Sequence, residues 1–306
     1  MVKHNIRPTE LNNPVSRSFD SFSTYDILRL INKEDHRVAP AISKQIPKIK
    51  MAVDLIVEGL KKGGRLVYVG AGTSGRLGVA DAAECIPTFN TNRVIGLLAG
   101  APKSMFYPSE GLEDDPDLAI RDIRKHKINQ KDVVVGISAG GDTIYPFTAL
   151  KEAKKHASRT IAITSNPKGI ICSVADISIV TRVGPEIIAG STRMKAGTSQ
   201  KLILNMLSTA SMVRWGRVLG NRMVNMKITN QKLIDRAHAI LMETTNAKRP
   251  DARQALKASS RNLPVAMVML AYKISKKEAE VLLTRKNQNE TLKDILRLKT
   301  SKDLKS

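Results

Sequence analysis

The sequence predicts an α/β fold: a doubly wound, three-layer parallel sheet flanked by helices, followed by a small C-terminal helical domain. Three observations predict it. Five short apolar runs, several bounded by glycines, alternate with helix-length stretches, the pattern of a parallel sheet covered on both faces. Two of these runs end in turns rich in glycine and hydroxyl residues, at the position where α/β sheets take their ligands. Beyond about residue 230 the apolar runs cease and only short helical stretches remain.

The elements follow in order. Residues 1–20 read as an irregular lead-in, with Pro8, Asn12, Asn13 and Pro14 as turn formers. Ser23-Thr24-Tyr25-Asp26 reads as a helix start before Ile27, Leu28, Leu30 and Ile31. A second helix is expected from about Ala41 to Leu60, stopped by Gly63-Gly64. The expected strands are Leu66–Val69, Val94–Leu98, Val133–Ile137, Thr160–Thr164 and Ile177–Val180. Helices are expected from Arg76, over Pro116–His126 with acidic residues at its positive end, and around Phe147–Lys155. From Met194 to about Arg217 the pattern is helical and mostly apolar, which suits a core or a subunit interface. Breaks near Arg249-Pro250, Asn262-Leu263-Pro264 and Ile274-Ser275 divide the remainder into short helices. The expected division is a helical lead-in over 1–55, a sheet domain over 56–220 and a small helical domain over 230–306.

Composition narrows the function classes. The 306 residues are 42% hydrophobic and 25% charged, which is ordinary for a globular protein. No apolar run reaches the roughly 18–20 residues that span a bilayer, and Met1-Val2-Lys3-His4-Asn5 lacks the apolar core of a signal peptide. A soluble, cytoplasmic protein is expected, with no membrane association. Two cysteines, Cys85 and Cys172, cannot make a disulfide scaffold, and five scattered histidines offer no pair at ligand spacing. No metal and no cofactor are expected. The net charge is +22 and lies mostly in the second half: residues 1–150 hold 20 Lys/Arg against 17 Asp/Glu, residues 151–306 hold 30 against 11. Such a half attracts anions, but aromatic residues are only 4%, too few for single-strand stacking platforms. Solvated lysines with no specific nucleic-acid partner are the expectation.

Two loops carry the chemistry. Val69-Gly70-Ala71-Gly72-Thr73-Ser74-Gly75-Arg76 ends the first strand; its glycines let backbone N–H groups converge, Thr73 and Ser74 add hydroxyls, and the helix that follows favours an anion. The dinucleotide fingerprint fits poorly, because Asn90 to Arg93 stand where an acidic residue is needed. Gly136-Ile137-Ser138-Ala139-Gly140-Gly141-Asp142-Thr143 repeats the arrangement after the third strand. The pair resembles the sugar isomerase (SIS) fold, whose second loop usually reads Ser-x-Ser-Gly-x-Thr.

Longer motifs refine the resemblance. Asp81-Ala82-Ala83-Glu84-Cys85, Glu110-Gly111-Leu112-Glu113-Asp114 and Gly190-Ser191-Thr192-Arg193-Met194-Lys195-Ala196-Gly197-Thr198 resemble the N-acetylmuramic acid 6-phosphate etherase family. So do Asn13-Pro14-x-Ser16, Leu30-Ile31-Asn32-Lys33-Glu34-Asp35 and the segment 262–270, similar to that family's small ubiquitin-associated-like domain. The resemblance covers nearly the whole chain. It implies a homodimer that cleaves the D-lactyl ether of a phosphorylated amino sugar. A base removes the C2 proton of the open-chain sugar, lactate leaves from C3, and water adds back. By position Glu84 matches the proton donor to the departing lactate, and Glu113 the second catalytic residue, assigned here as the C2 base. Without the resemblance, Glu84 reads as a helix-surface acid and Glu113 as part of an acidic loop.

Gly72, Thr73, Ser74, Ser138, Gly141 and Thr143 are the expected phosphate ligands. Arg193 and Lys195 are candidate anion contacts, or else parts of a structural loop at a dimer interface. Cys85 reads as a small buried residue. The second loop departs from the family pattern: Gly140 stands where serine is usual, Asp142 where arginine is, and Ile144 where proline is common. A lost hydroxyl and an added negative charge predict weaker phosphate binding. The glucokinase regulatory protein shares the fold, so a sugar-phosphate-sensing regulator without catalysis is the alternative; retention of both glutamates argues against it. A DNA-binding regulator is disfavoured because no helix-turn-helix precedes the sheet.

Overall fold

A computed structural model describes residues 7–108, 111–285 and 291–303. The chain forms two compact units, one of residues 1–83 and 93–210, the other of residues 84–92 and 211–306.

The first unit opens with three single 3-10 turns, Pro8–Glu10, Pro14–Ser16 and Phe19–Ser21, the first two built around the turn-forming residues of the lead-in. Helix α1 (Thr24–Asp35) is capped by Ser23, whose Oγ accepts from the Asp26 N–H at 3.2 Å. The helix expected over 41–60 is two helices, α2 (Val38–Ser43) and α3 (Ile46–Lys61). Pro47 sits in the first turn of α3. A proline has no N–H to give to a preceding turn, so it opens the second helix instead of continuing the first.

Five strands follow where the apolar runs predict them: β1 (Leu66–Gly70), β2 (Val94–Leu98), β3 (Val133–Ile137), β4 (Arg159–Thr164) and β5 (Ile177–Val180). All pairings are parallel, in the order β2-β1-β3-β4-β5. Between them run α4 (Gly72–Phe89), α5 (Pro116–Lys125), α6 (Ile144–Lys155) and the short α7 (Ile171–Val174). Alternation along β1 sorts the two faces. Val67 and Val69 pack with Ala119, Ile123, Leu150 and Ile171 of α5, α6 and α7. On the other face a Cβ on Gly78 of α4 would lie 2.9 Å from the Tyr68 Cβ, and one on Gly59 of α3 would lie 3.2 Å from Val133. Helices therefore cover both faces, and central strands β1 and β3 are buried along their whole length. The long helix α8 (Lys195–Arg214) completes the expected set.

The order reverses between β1 and β3: β1 leads outward to β2, and β3 leads outward through β4 to β5. The crevice outside the carboxyl ends of two such strands is where open α/β sheets bind ligands. Gly70 pairs with Ile137 in register, so the loops that leave β1 and β3 start side by side.

The second unit has its own core. Helices α9 (Gln231–Thr245), α10 (Arg249–Ala258), α12 (Lys276–Arg285) and α13 (Leu292–Asp303) surround α11 (Leu263–Tyr272), whose Leu263, Val265, Ala266, Met267 and Val268 are buried. Polar faces on the outer helices and an apolar helix at the centre explain why this segment shows short helices and no strand period.

Candidate active site

The first loop is shorter than its glycine run suggests. The helix expected from Arg76 begins at Gly72, so Thr73 and Ser74 lie in the first turn of α4. Gly72 adopts φ +51, which makes the turn. Helix and strand approach so closely that a Cβ on Gly75 would lie 2.4 Å from the Gly70 carbonyl oxygen. The second loop is tied internally: the Gly141 N–H donates to Ser138 Oγ at 3.0 Å, and Ser138 Oγ shares a hydrogen bond with Thr143 Oγ1 at 2.9 Å. Thr143 precedes α6 but gives it no side-chain cap, and with Pro146 lacking an N–H the first turn offers an anion the Ile144 and Tyr145 amides. The end of β4 braces the loop, with Thr164 Oγ1 donating to the Ala139 carbonyl at 3.1 Å and Asn166 Nδ2 to the Gly140 carbonyl at 2.9 Å.

The start of α8 stands against the first loop. A Cβ on Gly197 would lie 3.5 Å from Thr73 Cγ2, and Ser74 Oγ donates to Gln200 Oε1 at 3.0 Å. Gln200 Nε2 is buried there with no partner among the described residues. The N-terminal amides of α8 are already occupied: Lys195 and Ala196 N–H donate to the two carboxylate oxygens of Glu186 at 3.0 and 2.9 Å. Burial pushes the Glu186 carboxyl above its usual range, although both amides and the Lys195 charge pull the other way.

Lys195 is turned inward. Its ammonium pairs with Glu34, and both side chains are 1% exposed. Burial raises the Glu34 carboxyl, but the hydrogen bonds of Lys195 and Asn13 and the charges of Lys195 and Arg37 outweigh it and hold the group below its usual range. As placed, Lys195 is committed to a carboxylate of the protein. Arg193 is exposed at the turn before α8.

Glu113 comes to the first loop. Arg76, one turn into α4, donates through Nε to the Ser104 and Met105 carbonyls at 2.9 and 3.2 Å and through Nη2 to that of Tyr107 at 3.3 Å. It thereby ties down the connection between β2 and α5. A cavity of about 180 Å³ remains, lined by Ala71, Gly72, Arg76, Ala99, Ser104 and Glu113 among others. Glu113 is exposed and follows Gly111, at φ +80, and Leu112. Glu84 is exposed on α4 and is not among the lining residues. Cys85 beside it is buried. Glu110, part of the Glu113 motif, lies outside the described residues. A larger cavity, about 1100 Å³, lies in the second unit between α9 and α10 and has no glycine-hydroxyl loop. Among the described residues no group of His, Cys, Asp or Glu is placed to hold a metal, and no helix is long and apolar enough to cross a membrane.

Known proteins match this chain closely. A family model described as SIS domain matches residues 32–165. The N-acetylmuramic acid 6-phosphate etherase of Histophilus somni (strain 129Pt) is 47% identical over 283 residues, covering 92% of this chain and 93% of its own length. The protein of the same name from Lactobacillus gasseri is also 47% identical over 283 residues, covering 92% and 95%. This chain belongs to the N-acetylmuramic acid 6-phosphate etherase family. Among solved structures, a phosphoheptose isomerase from Neisseria gonorrhoeae aligns with 61% of this chain and 97% of its own at 18% identity, with a TM-score of 0.48.

Within this etherase-family chain the structure brings Gly72, Thr73, Ser74, Ser138, Gly141 and Thr143 to one end of the sheet, with Glu113 on the cavity beside Gly72. Several residues of the region carry no motif signal. Glu186 is a lone acid after a Gly-Pro pair, and its role as acceptor for α8 depends on a loop folding back. Gln200 lies two residues beyond the Gly190–Thr198 motif, and only the packing of α8 on α4 turns it to Ser74. Arg76 follows Gly75 directly, so its place was legible, but its carbonyl partners were not.

Proposed function

We propose that this protein is a carbon–oxygen lyase that cleaves the D-lactyl ether of N-acetylmuramic acid 6-phosphate to N-acetylglucosamine 6-phosphate and D-lactate, a step of amino-sugar and peptidoglycan recycling. The observation that carries the reading is the cavity lined by both Gly72 of the anion loop and Glu113. It puts a carboxylate within the same pocket as a phosphate-type loop, in a chain whose relatives bear this name along nearly their whole length.

The reaction needs a phosphate grip and two proton carriers. The two loops and the first turn of α6 supply hydroxyl and amide donors for the phosphate. In the open-chain sugar the C1 aldehyde acidifies the C2 hydrogen. Glu113 takes that proton; the C3–O bond breaks, and Glu84 protonates the departing lactate oxygen. Glu84 then takes a proton from water as its oxygen bonds to C3, and Glu113 returns the proton to C2. Both carboxyls end as they began, and the net change is addition of one water. A regulator that only senses the sugar would need neither proton transfer.

We further read the protein as a cytoplasmic homodimer in which α8 lies at the subunit interface. Met206 on α8, 37% exposed, is an apolar side chain such an interface would cover. The division into a lead-in over 1–55, a sugar-phosphate domain over 56–220 and a helical domain over 230–306 belongs to the same reading. The test is a coupled assay for D-lactate release from N-acetylmuramic acid 6-phosphate. Turnover with stoichiometric N-acetylglucosamine 6-phosphate is the expected result; absence of lactate overturns the reading.

A further inference from the structure

The second loop lacks a hydroxyl at Gly140 and carries a carboxylate at Asp142, both unfavourable to a phosphate. The structure shows what stands there instead. Asp142 Oδ1 accepts from the Ile170 N–H at 3.1 Å, and its Oδ2 pairs with Arg7 Nε at 2.7 Å. Arg7 comes from the lead-in. A Cβ on Gly140 would lie 3.8 Å from Arg7 Cδ and 3.9 Å from Thr9 Oγ1, ordinary van der Waals distances, so the lead-in packs directly over this position of the loop.

This segment is anchored to the sheet unit. The Gly190 N–H donates to the Thr9 carbonyl at 3.0 Å, Asn13 Nδ2 donates to Glu34 at 2.9 Å, and Ser16 Oγ donates to the Ile187 carbonyl at 2.7 Å. Arg7 itself is 52% exposed, and its closest approach to Asp142 is through Nε, with its terminal amino groups on a half-exposed side chain. A guanidinium bonded through Nε still presents a fork of N–H donors suited to a phosphate. The nearby cations of the first loop and of α8 are committed elsewhere, Arg76 to carbonyls and Lys195 to Glu34.

We propose that Arg7 is the phosphate-binding cation of this site, presented by the lead-in and held over the second loop by Asp142. Asp142 is then a positioning residue, and its charge is neutralised before the substrate arrives. The assignment rests on the phosphorylated amino-sugar reading above. It also reverses the expectation drawn from the sequence that Asp142 simply weakens phosphate binding.

The experiment is a set of kinetic measurements on the full chain with N-acetylmuramic acid 6-phosphate, with thermal unfolding as a check on folding. If the wild-type protein releases no lactate, the functional reading fails regardless of Arg7. Given wild-type turnover, Arg7→Ala is expected to raise KM about 10- to 100-fold with kcat within about threefold, because the contact lies away from the breaking bond. Arg7→Lys should recover part of the loss. Asp142→Arg should weaken binding in the Arg7 protein, where two cations would compete, and strengthen it in the Arg7→Ala background, where the new arginine replaces the missing one. The same pattern is expected for binding of N-acetylglucosamine 6-phosphate by calorimetry. An unchanged KM in Arg7→Ala, a loss confined to kcat, or the same effect of Asp142→Arg in both backgrounds overturns the proposal.

Discussion

Lys195 is among the largest fully buried side chains, and a buried ammonium persists only where a carboxylate meets it. Here Glu34 of α1 does so, and Asn13 of the lead-in donates to the same carboxylate. Lys195→Met should cost about 3 kcal/mol in denaturant unfolding, the scale for breaking a buried pair, and adding Glu34→Leu should restore most of it. The pair also sets a pH limb. Glu34 is held below its ordinary value in the folded state, so it contributes stability that is present above pH 4.5 and lost as pH falls through the lower folded value. Glu186 acts with the opposite sign: its raised value lets the folded state hold a proton more readily, so its contribution grows as pH falls toward 4.5. Acid unfolding of the Lys195→Met/Glu34→Leu variant should therefore begin at lower pH than in the wild type. The two proposed catalytic carboxylates make a separate prediction. Glu113→Gln and Glu84→Gln should each lower turnover at least ~10²-fold. Only Glu84→Gln should still exchange the C2 hydrogen of N-acetylglucosamine 6-phosphate with deuterated water, since that exchange needs the base alone. Lactate release at the wild-type rate by either variant would falsify the assignment.

At the scale of elements, the ends of β1 and β3 are shaped by close approach more than by flexibility. Gly141 adopts φ +80, and a Cβ there would lie 2.7 Å from Gly169 Cα and 2.9 Å from Thr164 Oγ1. Gly63 has nearly the same φ, +82, with nothing within 4 Å. The two glycines separate backbone strain from collision. Gly63→Ala should cost about 1 kcal/mol, the left-handed penalty alone. Gly141→Ala should cost about 1–3 kcal/mol more, because the second loop must also move off the end of β4. The same shift should raise KM in the lactate assay, while Gly63→Ala leaves kinetics unchanged. Pro47 marks another decision at this scale: the apolar period runs through residues 41–60 without a break, and only the missing N–H splits it into α2 and α3.

For the whole molecule, charge and assembly are separable. Of the net +22, most lies in residues 151–306, a distribution that attracts any polyanion without choosing among sequences. DNA binding near 0.15 M salt should be weak, independent of sequence and steeply reduced by added salt, as counterion release requires. Tight, sequence-selective retention in a gel-shift titration would contradict this. The proposed dimer should appear in light scattering as twice the 33.6 kDa chain mass.

The five strands, their parallel pairing and the glycine-hydroxyl loops follow from the pattern of apolar runs, helix-length spacers and glycine turns written in adjacent residues, whereas the strand order is set by the tertiary structure. The etherase-family motifs are local in the same sense, and they were legible for the same reason. What depends on residues far apart was not. The lead-in reads as irregular chain, and nothing in Arg7-Pro8-Thr9 signals that it packs beside Gly140. Asp142 reads as a defect in the second loop until Arg7 is placed against it. Lys195 reads as an anion contact or as part of a structural loop until α1 brings Glu34 to its ammonium. A charge in a sequence shows only its sign. Whether it meets substrate, solvent or another charge is decided by which distant segment the fold places beside it, because Coulomb attraction and desolvation act over a few ångströms in space and take no account of separation along the chain.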